Sequence, residues 1–507
     1  MNVYFHTFGC KANQYDTELV RQAFADEGAV VVDDPAAADV AVVNSCTVTA
    51  ESEAKLRSFV RRLARRGPRL ETVVMGCAAA LDDGRIAGLQ SVRAVVGGAD
   101  PQAVLSAAGV SSPPVPLSVP ERGDVASSPS PEGRGGQGVR TGTAGQGARS
   151  RGWLKIQDGC DEHCTFCATT IARGANRSRP VAELVREARA LAEHHAEIVL
   201  TGVHIGTYGQ DRSQDAADPG AAPRGSPRPA SGTADPGPVP RGSPRPASGT
   251  ADPGPVPRGS PRPASGTADP GPVPRGRPGG QSVGLNPGPS ARGQPRLGPL
   301  LAALIAAIPQ VRFRLSSIEA TEVDDTIARL LIEAPRNLSA HLHAPLQSGS
   351  NRVLKRMGRH WYTAESYRAR IEWLAERLGG VFGLGADIIA GFPGETEADH
   401  RATVALVEAL PFTYLHVFPF SVRPDAPAAQ LREQLPAGMV RDRARELREL
   451  GEAKQRAYRA SRLGQSADGV VSGHREGKIE LLTQDYLSVY LPIPEWDGCP
   501  RCEVTVR

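Results

Sequence analysis

Three cysteines, Cys160, Cys164 and Cys167, stand in a C-x3-C-x2-C spacing and constrain this chain more than any other feature. Three thiolates offered to a metal group that prefers four leave one position open. A 4Fe-4S cube held this way keeps one iron free for a small molecule, whereas a fully ligated cube only passes electrons. Zinc sites usually set a second Cys or His pair close to the first. None follows closely here, and His163 is poorly spaced to substitute. The spacing reads as chemistry on an open iron, with a zinc knuckle or a buried group of free thiols as the bland alternatives.

Three further cysteines close short apolar runs that look like strands, residues 3–10, 40–46 and 72–77, ending in Cys10, Cys46 and Cys77. Helix-like segments follow the first two runs, and such alternation favours a parallel sheet. Ligands of these sheets gather at the carboxyl ends of strands, so three cysteines far apart in sequence converge and can hold a second, three-thiolate cluster. Small buried core cysteines are the plainer alternative.

The same alternation resumes further on. Helices are expected over 181–195, 300–308, 324–333, 364–378 and 397–410, and strands over 197–200, 311–315, 339–342, 383–389 and 414–418. This pattern implies a parallel sheet curled into a barrel or part of one, with its chemistry on loops at the carboxyl end. Glycines after two of these strands, Gly202 and Gly391, either let a ligand approach the backbone or form ordinary turns.

Two stretches stand outside the fold reasoning. Residues 111–150 are rich in Ser, Pro, Gly and Arg and read as a flexible linker. Residues 211–296 carry a 17-residue repeat beginning at Pro223, Pro240 and Pro257, with only Val239 and its equivalents to bury. A solenoid repeat needs an apolar face, so this segment reads as a disordered insertion, or alternatively as an Arg-bearing arm for RNA.

The stretch from His6 to Glu18, Asn44-Ser45-Cys46-Thr47-Val48-Thr49, Gly76-Cys77 and Ala172 to Arg179 together resemble the radical S-adenosylmethionine (SAM) methylthiotransferase family. Val199 to Gly206, Arg314 to Ala320, His341 to Ser350 and Gly391 to Thr396 add to the resemblance, which favours the branch acting on threonylcarbamoyladenosine in tRNA. The resemblance implies an α/β chain: an amino-terminal parallel α/β domain (1–110), a partial (β/α)6 radical SAM barrel (151–440) and a helix with a small β-rich, RNA-binding-like tail (441–507). It implies two 4Fe-4S clusters, one on Cys160, Cys164 and Cys167 and one on Cys10, Cys46 and Cys77, and SAM contacts at Thr201, Gly202, Ser316, Gln347 and Gly391. The implied reaction removes hydrogen from C2 of an adenine by a SAM-derived radical and adds a methylthio group there. That carbon is out of reach of acid–base chemistry, so a radical cofactor carries the step and no catalytic side chain beyond the cluster ligands is assigned. Sister reactions on isopentenyladenosine in tRNA or on a ribosomal-protein aspartate are alternatives, as is a non-catalytic RNA-binding iron–sulfur protein.

The implied partners are the tRNA anticodon loop, a reducing electron donor and a sulfur donor. RNA needs local positive charge. Arg57, Arg61, Arg62, Arg65 and Arg66 on one expected helix, and Arg173, Arg177 and Arg179 after the cluster motif, supply it, unless they make up a solvated face and internal salt bridges. The net charge of +4 says little by itself. No secretory pattern opens the sequence and no apolar run is long enough to span a membrane, so a cytoplasmic enzyme without a membrane partner is expected. Eight cysteines suit a reducing compartment. Cys499 and Cys502 have metal or redox spacing but match no family motif, and no function is assigned to them.

Overall fold

The computed structural model describes residues 1–47, 50–67, 69–110, 150–211, 296–423 and 425–507. The linker expected at 111–150 and the repeat insertion expected at 211–296 fall, apart from edge residues, outside the described residues.

The amino-terminal segment forms β1 (Asn2–Thr7), α1 (Lys11–Asp26), β2 (Val30–Val32), β3 (Val40–Ser45), α2 (Ala50–Arg66), β4 (Glu71–Gly76), α3 (Cys77–Ala80), β5 (Val92–Gly97) and α4 (Pro101–Ala108). The strands build one parallel sheet in the order β2-β1-β3-β4-β5. Strand β3 is buried along its whole length, as a β-branched run covered on both faces should be. On α2, Leu56, Phe59, Val60 and Leu63 recur at three- and four-residue intervals and are buried, which leaves Arg61, Arg62, Arg65 and Arg66 exposed. Asp100 caps α4, Pro101 occupies its first turn and Gly109 ends it in the left-handed conformation.

The central segment begins with β6 (Arg151–Lys155), β7 (Gln157–Asp158), α5 (Thr169–Arg173), β8 (Arg177–Ser178), α6 (Val181–Ala192) and β9 (Glu197–Thr201). It continues through α7 (Leu297–Ala307), β10 (Arg312–Leu315), α8 (Asp325–Glu333), β11 (His341–His343), α9 (Asn351–Arg356), α10 (Ala364–Leu378), β12 (Gly383–Ala390), α11 (Glu397–Ala409) and β13 (Tyr414–Pro419). Strands β6, β9 and β10 pair in parallel, as do β11, β12 and β13. Parallel bridges Phe313–Leu338 and Ser317–His343 join the two groups into a curled six-strand wall. The expected helix over 364–378 is found to the residue: a capping box of Thr363 and Ser366 sets its start, and Gly379, at φ +65°, its end. Helix α9 was not expected. It is six residues long, too short for an apolar period to show.

Helix α12 (Ala437–Arg462) lays Val440, Ala444 and Leu447 against the barrel and packs on β12 and β13, so the boundary expected at 440/441 falls inside one helix. The tail is an antiparallel sheet of β14 (Ser466–Arg475), β15 (Lys478–Thr483), β16 (Ser488–Pro492) and β17 (Arg501–Thr505), ordered β16-β15-β14-β17. Arg312 and Arg314, buried at the start of β10, donate to the carbonyls of Asp468 (2.6 Å), Leu482 (3.0 Å) and Thr483 (2.8 Å), which fixes this sheet to the amino-terminal end of the barrel strands. Both guanidinium groups also bind the fully buried Glu197 carboxylate, at 2.7 and 3.0 Å, and Arg151 reaches it at 2.7 Å.

Candidate active site

Strands β1, β3 and β4 are consecutive neighbours, and each delivers a cysteine just beyond its carboxyl end: Cys10 caps α1, Cys46 follows β3 and Cys77 opens α3. Neighbouring strands lie about 4.8 Å apart, so the three thiols share one rim of the sheet. Asn13 joins two of them, its Oδ1 accepting from Cys10 Sγ at 3.7 Å and Cys77 Sγ at 3.9 Å. The amide is oriented by its other end, since Nδ2 donates to the carbonyls of Phe8 and Ser45, both at 2.9 Å. Gly9 lies so close to Cys46 that an added Cβ would stand 2.9 Å from its sulfur.

The loop carrying Cys160, Cys164 and Cys167 is tied at several points. Cys160 N donates to Gly174 O at 3.0 Å and Cys167 N to Cys164 O at 3.1 Å. Thr165 is bound to the end of α9 through Met357 O and Arg356 O, both at 2.9 Å. Gly159, at φ +71°, takes a conformation that side chains disfavour, and a Cβ there would meet Ala175 O at 1.9 Å. Beside the thiols, His204 Nδ1 lies 3.8 Å from Cys160 Sγ and Arg359 Nη1 donates to Cys164 Sγ at 3.7 Å. Burial pushes the Cys164 thiol up to about 12, against the pull of the Arg359 cation. Arg359 is itself paired with buried Glu319 and stacks on Trp361 and Tyr362.

The donor chemistry fits an iron–sulfur group at either place. Both offer three thiols, and both set a guanidinium on a sulfur, Arg359 at Cys164 and Arg173 at Cys77 (3.1 Å), where a cluster brings negative charge. All eight cysteines are free of disulfides, and Cys499 is bonded to Arg501 O at 2.9 Å while Cys502 packs on the core of the tail.

The residues expected to contact SAM follow successive barrel strands. Thr201 ends β9 and Ser316 follows β10, both buried, with Ser316 N donating to Leu200 O at 3.0 Å. Gln347 is buried at φ +60°, bridged to Asp387 and Ile389 by backbone hydrogen bonds of 2.8 and 3.0 Å. At Gly202 the neighbour that leaves no room for a Cβ is Gln157, and at Gly391 it is Val440 of α12.

Of the arginines expected to meet phosphate, Arg173 and Arg179 are engaged internally. Arg179 binds Glu187 at 2.6 Å, Tyr15 at 3.1 Å and Glu183. Arg177 is exposed, and Arg57 faces Glu53 at 3.9 Å. A polar cluster went unassigned from sequence: His343 Nε2 and His416 Nδ1 both face Asp387 Oδ1, at 3.0 and 3.2 Å, and Tyr414 Oη lies 3.0 Å from His343 Nδ1. Burial opposes ionisation of Asp387, but the two imidazoles hold its carboxyl well below the usual range. The three ligand atoms lie within 4.8 Å of one another, on three adjacent strands.

Comparison with known proteins places this geometry. The model described as "Uncharacterized protein family UPF0004" matches residues 2–97, and "Radical SAM superfamily" matches residues 154–212. Threonylcarbamoyladenosine tRNA methylthiotransferase MtaB of Bacillus subtilis is 30% identical over 90% of this chain and 81% of its own length. The chain belongs to the radical SAM methylthiotransferase family. The MtaB protein of Aquifex aeolicus is 28% identical over 96% of each chain, and the tRNA-2-methylthio-N(6)-dimethylallyladenosine synthase of Sorangium cellulosum is 31% identical over 92% of this chain and 81% of its own. As a radical SAM methylthiotransferase the chain is an iron–sulfur, SAM-using enzyme of mixed α/β fold. Among the described residues no helix is long and apolar enough to cross a membrane.

Proposed function

We propose that this methylthiotransferase converts N6-threonylcarbamoyladenosine at position 37 of tRNA to its 2-methylthio derivative, in the cytoplasm, with two 4Fe-4S clusters. The observation that carries the reading is the pair of three-thiol sites, Cys160, Cys164 and Cys167 on the barrel and Cys10, Cys46 and Cys77 on the sheet rim, each with a guanidinium at one sulfur. The names of the Bacillus and Aquifex relatives support the substrate. When bound, the barrel cluster supplies one-electron cleavage of SAM and the rim cluster supplies the sulfur to be transferred.

The chain's own residues hold and orient. Thr201, Gly202, Ser316, Gln347 and Gly391 line the SAM site, and Arg359, fixed by Glu319, steadies the Cys164 side of the loop. Asn13 ties the Phe8 and Ser45 carbonyls beside Cys10 and Cys46 and offers its oxygen to Arg173. Exposed Arg61, Arg62, Arg65, Arg66 and Arg177 offer charge to the anticodon-loop phosphates. A reducing electron donor and a sulfur donor complete the set of partners.

Nucleoside mass spectrometry of tRNA from cells lacking the gene tests this. Loss of the methylthio threonylcarbamoyl nucleoside alone is the expected result, and an unchanged profile rejects the reading. The Sorangium relative favours a second reading, methylthiolation of an isopentenyl-type adenosine, which the same measurement would reveal as loss of that nucleoside instead.

A further inference from the structure

Arg173 ends the short helix that follows the C-x3-C-x2-C loop, and its guanidinium makes four contacts to four residues. Nε donates to Cys77 Sγ at 3.1 Å, Nη1 to Asp158 at 2.9 Å, and Nη2 to Asn13 Oδ1 at 2.7 Å and Asp16 at 2.9 Å. Its side chain is 9% exposed, and Asp16 is 2% exposed. The next carbonyl, Gly174 O, accepts from Cys160 N at 3.0 Å. One residue thus touches a thiol of the rim triad while its neighbour holds the backbone of the first barrel cysteine.

A simple ion pair between the sheet and barrel segments would need only the carboxylates. Lys155 already makes that pair, reaching Asp16 at 2.6 Å and Asp158 at 3.0 Å. The planar fork of arginine adds what lysine cannot, a fixed donor on sulfur together with a second on the Asn13 amide. Hydrogen bonds to cysteinyl sulfur and nearby charge set the potential of an iron–sulfur group.

We propose that Arg173 is a positioning residue that couples the two thiol triads, holding the barrel loop in register with the sheet rim and raising the reduction potential of the cluster on Cys10, Cys46 and Cys77. This rests on the two-cluster reading above.

The test uses the full chain with Cys160, Cys164 and Cys167 replaced by Ala, reconstituted anaerobically, so that only the rim triad binds iron. In that background Arg173→Gln and Arg173→Lys shift the midpoint potential to more negative values and change the electron paramagnetic resonance line shape of the reduced cluster. Asp16→Asn, which removes a negative charge that acts on Cys77 through space and no donor to sulfur, moves the potential the other way, to more positive values. An unshifted potential in both Arg173 variants, or an equal negative shift in Asp16→Asn, overturns the inference while leaving the two-cluster reading intact. Failure of the parent to bind iron overturns that reading and the inference with it. In the otherwise unaltered holoenzyme, Arg173→Lys lowers methylthio transfer about tenfold while 5′-deoxyadenosine release from SAM continues. Equal loss of both activities counts against coupling.

Discussion

The side-chain oxygen of Asn13 stands 3.7 Å from the sulfur of Cys10, one turn along the same helix start. The same atom faces Cys77 at 3.9 Å, so a single amide faces two thiols that are 67 residues apart by number (77 − 10). Cluster-bound thiolates have no proton for this oxygen, but Asn13→Ala also leaves the Phe8 and Ser45 carbonyls, next to Cys10 and Cys46 in the chain, without their donor and Arg173 without an acceptor. Loss of about tenfold or more in iron retention by the rim triad is expected, measured as iron and sulfide per chain under a chelator challenge. Retention equal to the parent would refute the role given to this amide.

Gly159→Ala places a methyl group against the Ala175 carbonyl and forces a side chain onto a backbone at φ +71°. The loop must then move, and Cys160 with it. The expected outcome is loss of the barrel cluster's iron, about four atoms per chain, with the rim triad still loaded. Full iron content in this variant would show that the loop tolerates the shift.

Glu197 holds three arginines, and removing it leaves the fully buried Arg314 without its carboxylate and Arg312 with Asp468 alone, at 3.2 Å. Glu197→Gln should destabilise the fold by about 3–5 kcal/mol, read from urea unfolding. Burial opposes the charge on Glu197, but Arg314, Arg312 and Arg151 hold its folded-state carboxyl well below 4.5. A depressed folded value means that this stabilisation is fully present above about pH 4.5 and is lost as pH falls through the folded value. Stability of the parent should therefore fall more steeply with acid than that of Glu197→Gln.

Arg61 and Arg65 sit one turn apart on the exposed face of α2. Replacing both by Glu should weaken tRNA binding uniformly across tRNA sequences and reduce the salt dependence by about one unit of log–log slope per lost phosphate contact. Filter binding across a salt series measures this, and an unchanged slope would remove α2 from the RNA surface.

The strand ends that carry the rim cysteines were legible because residues 40–46 form a β-branched run whose end is marked by the cysteine itself. Capped helices were legible too. The helix expected over 397–410 starts where the structure forms a capping box between Thr396 and Asp399. What could not be read was convergence. Arg312 and Arg314 alternate with apolar residues and look like one polar face of a strand, and only the curled wall brings Glu197 and the tail carbonyls onto them. Asn13 and Arg173 lie in recognisable motifs, yet 160 residues separate them and no local pattern announces their 2.7 Å contact.

The repeat-bearing segment leaves and re-enters the barrel at seated points. Before it, Asp211 accepts from Ser178 N at 2.8 Å, Gly209 N donates to Ser178 Oγ at 2.8 Å, and Tyr208 is fixed to Arg179 O at 2.7 Å. After it, Leu297 is already buried in the core at the start of α7. Both stems are thus held by the fold itself, and a chain shortened by whole 17-residue units between Asp211 and Leu297 should keep these contacts and the barrel around them in place.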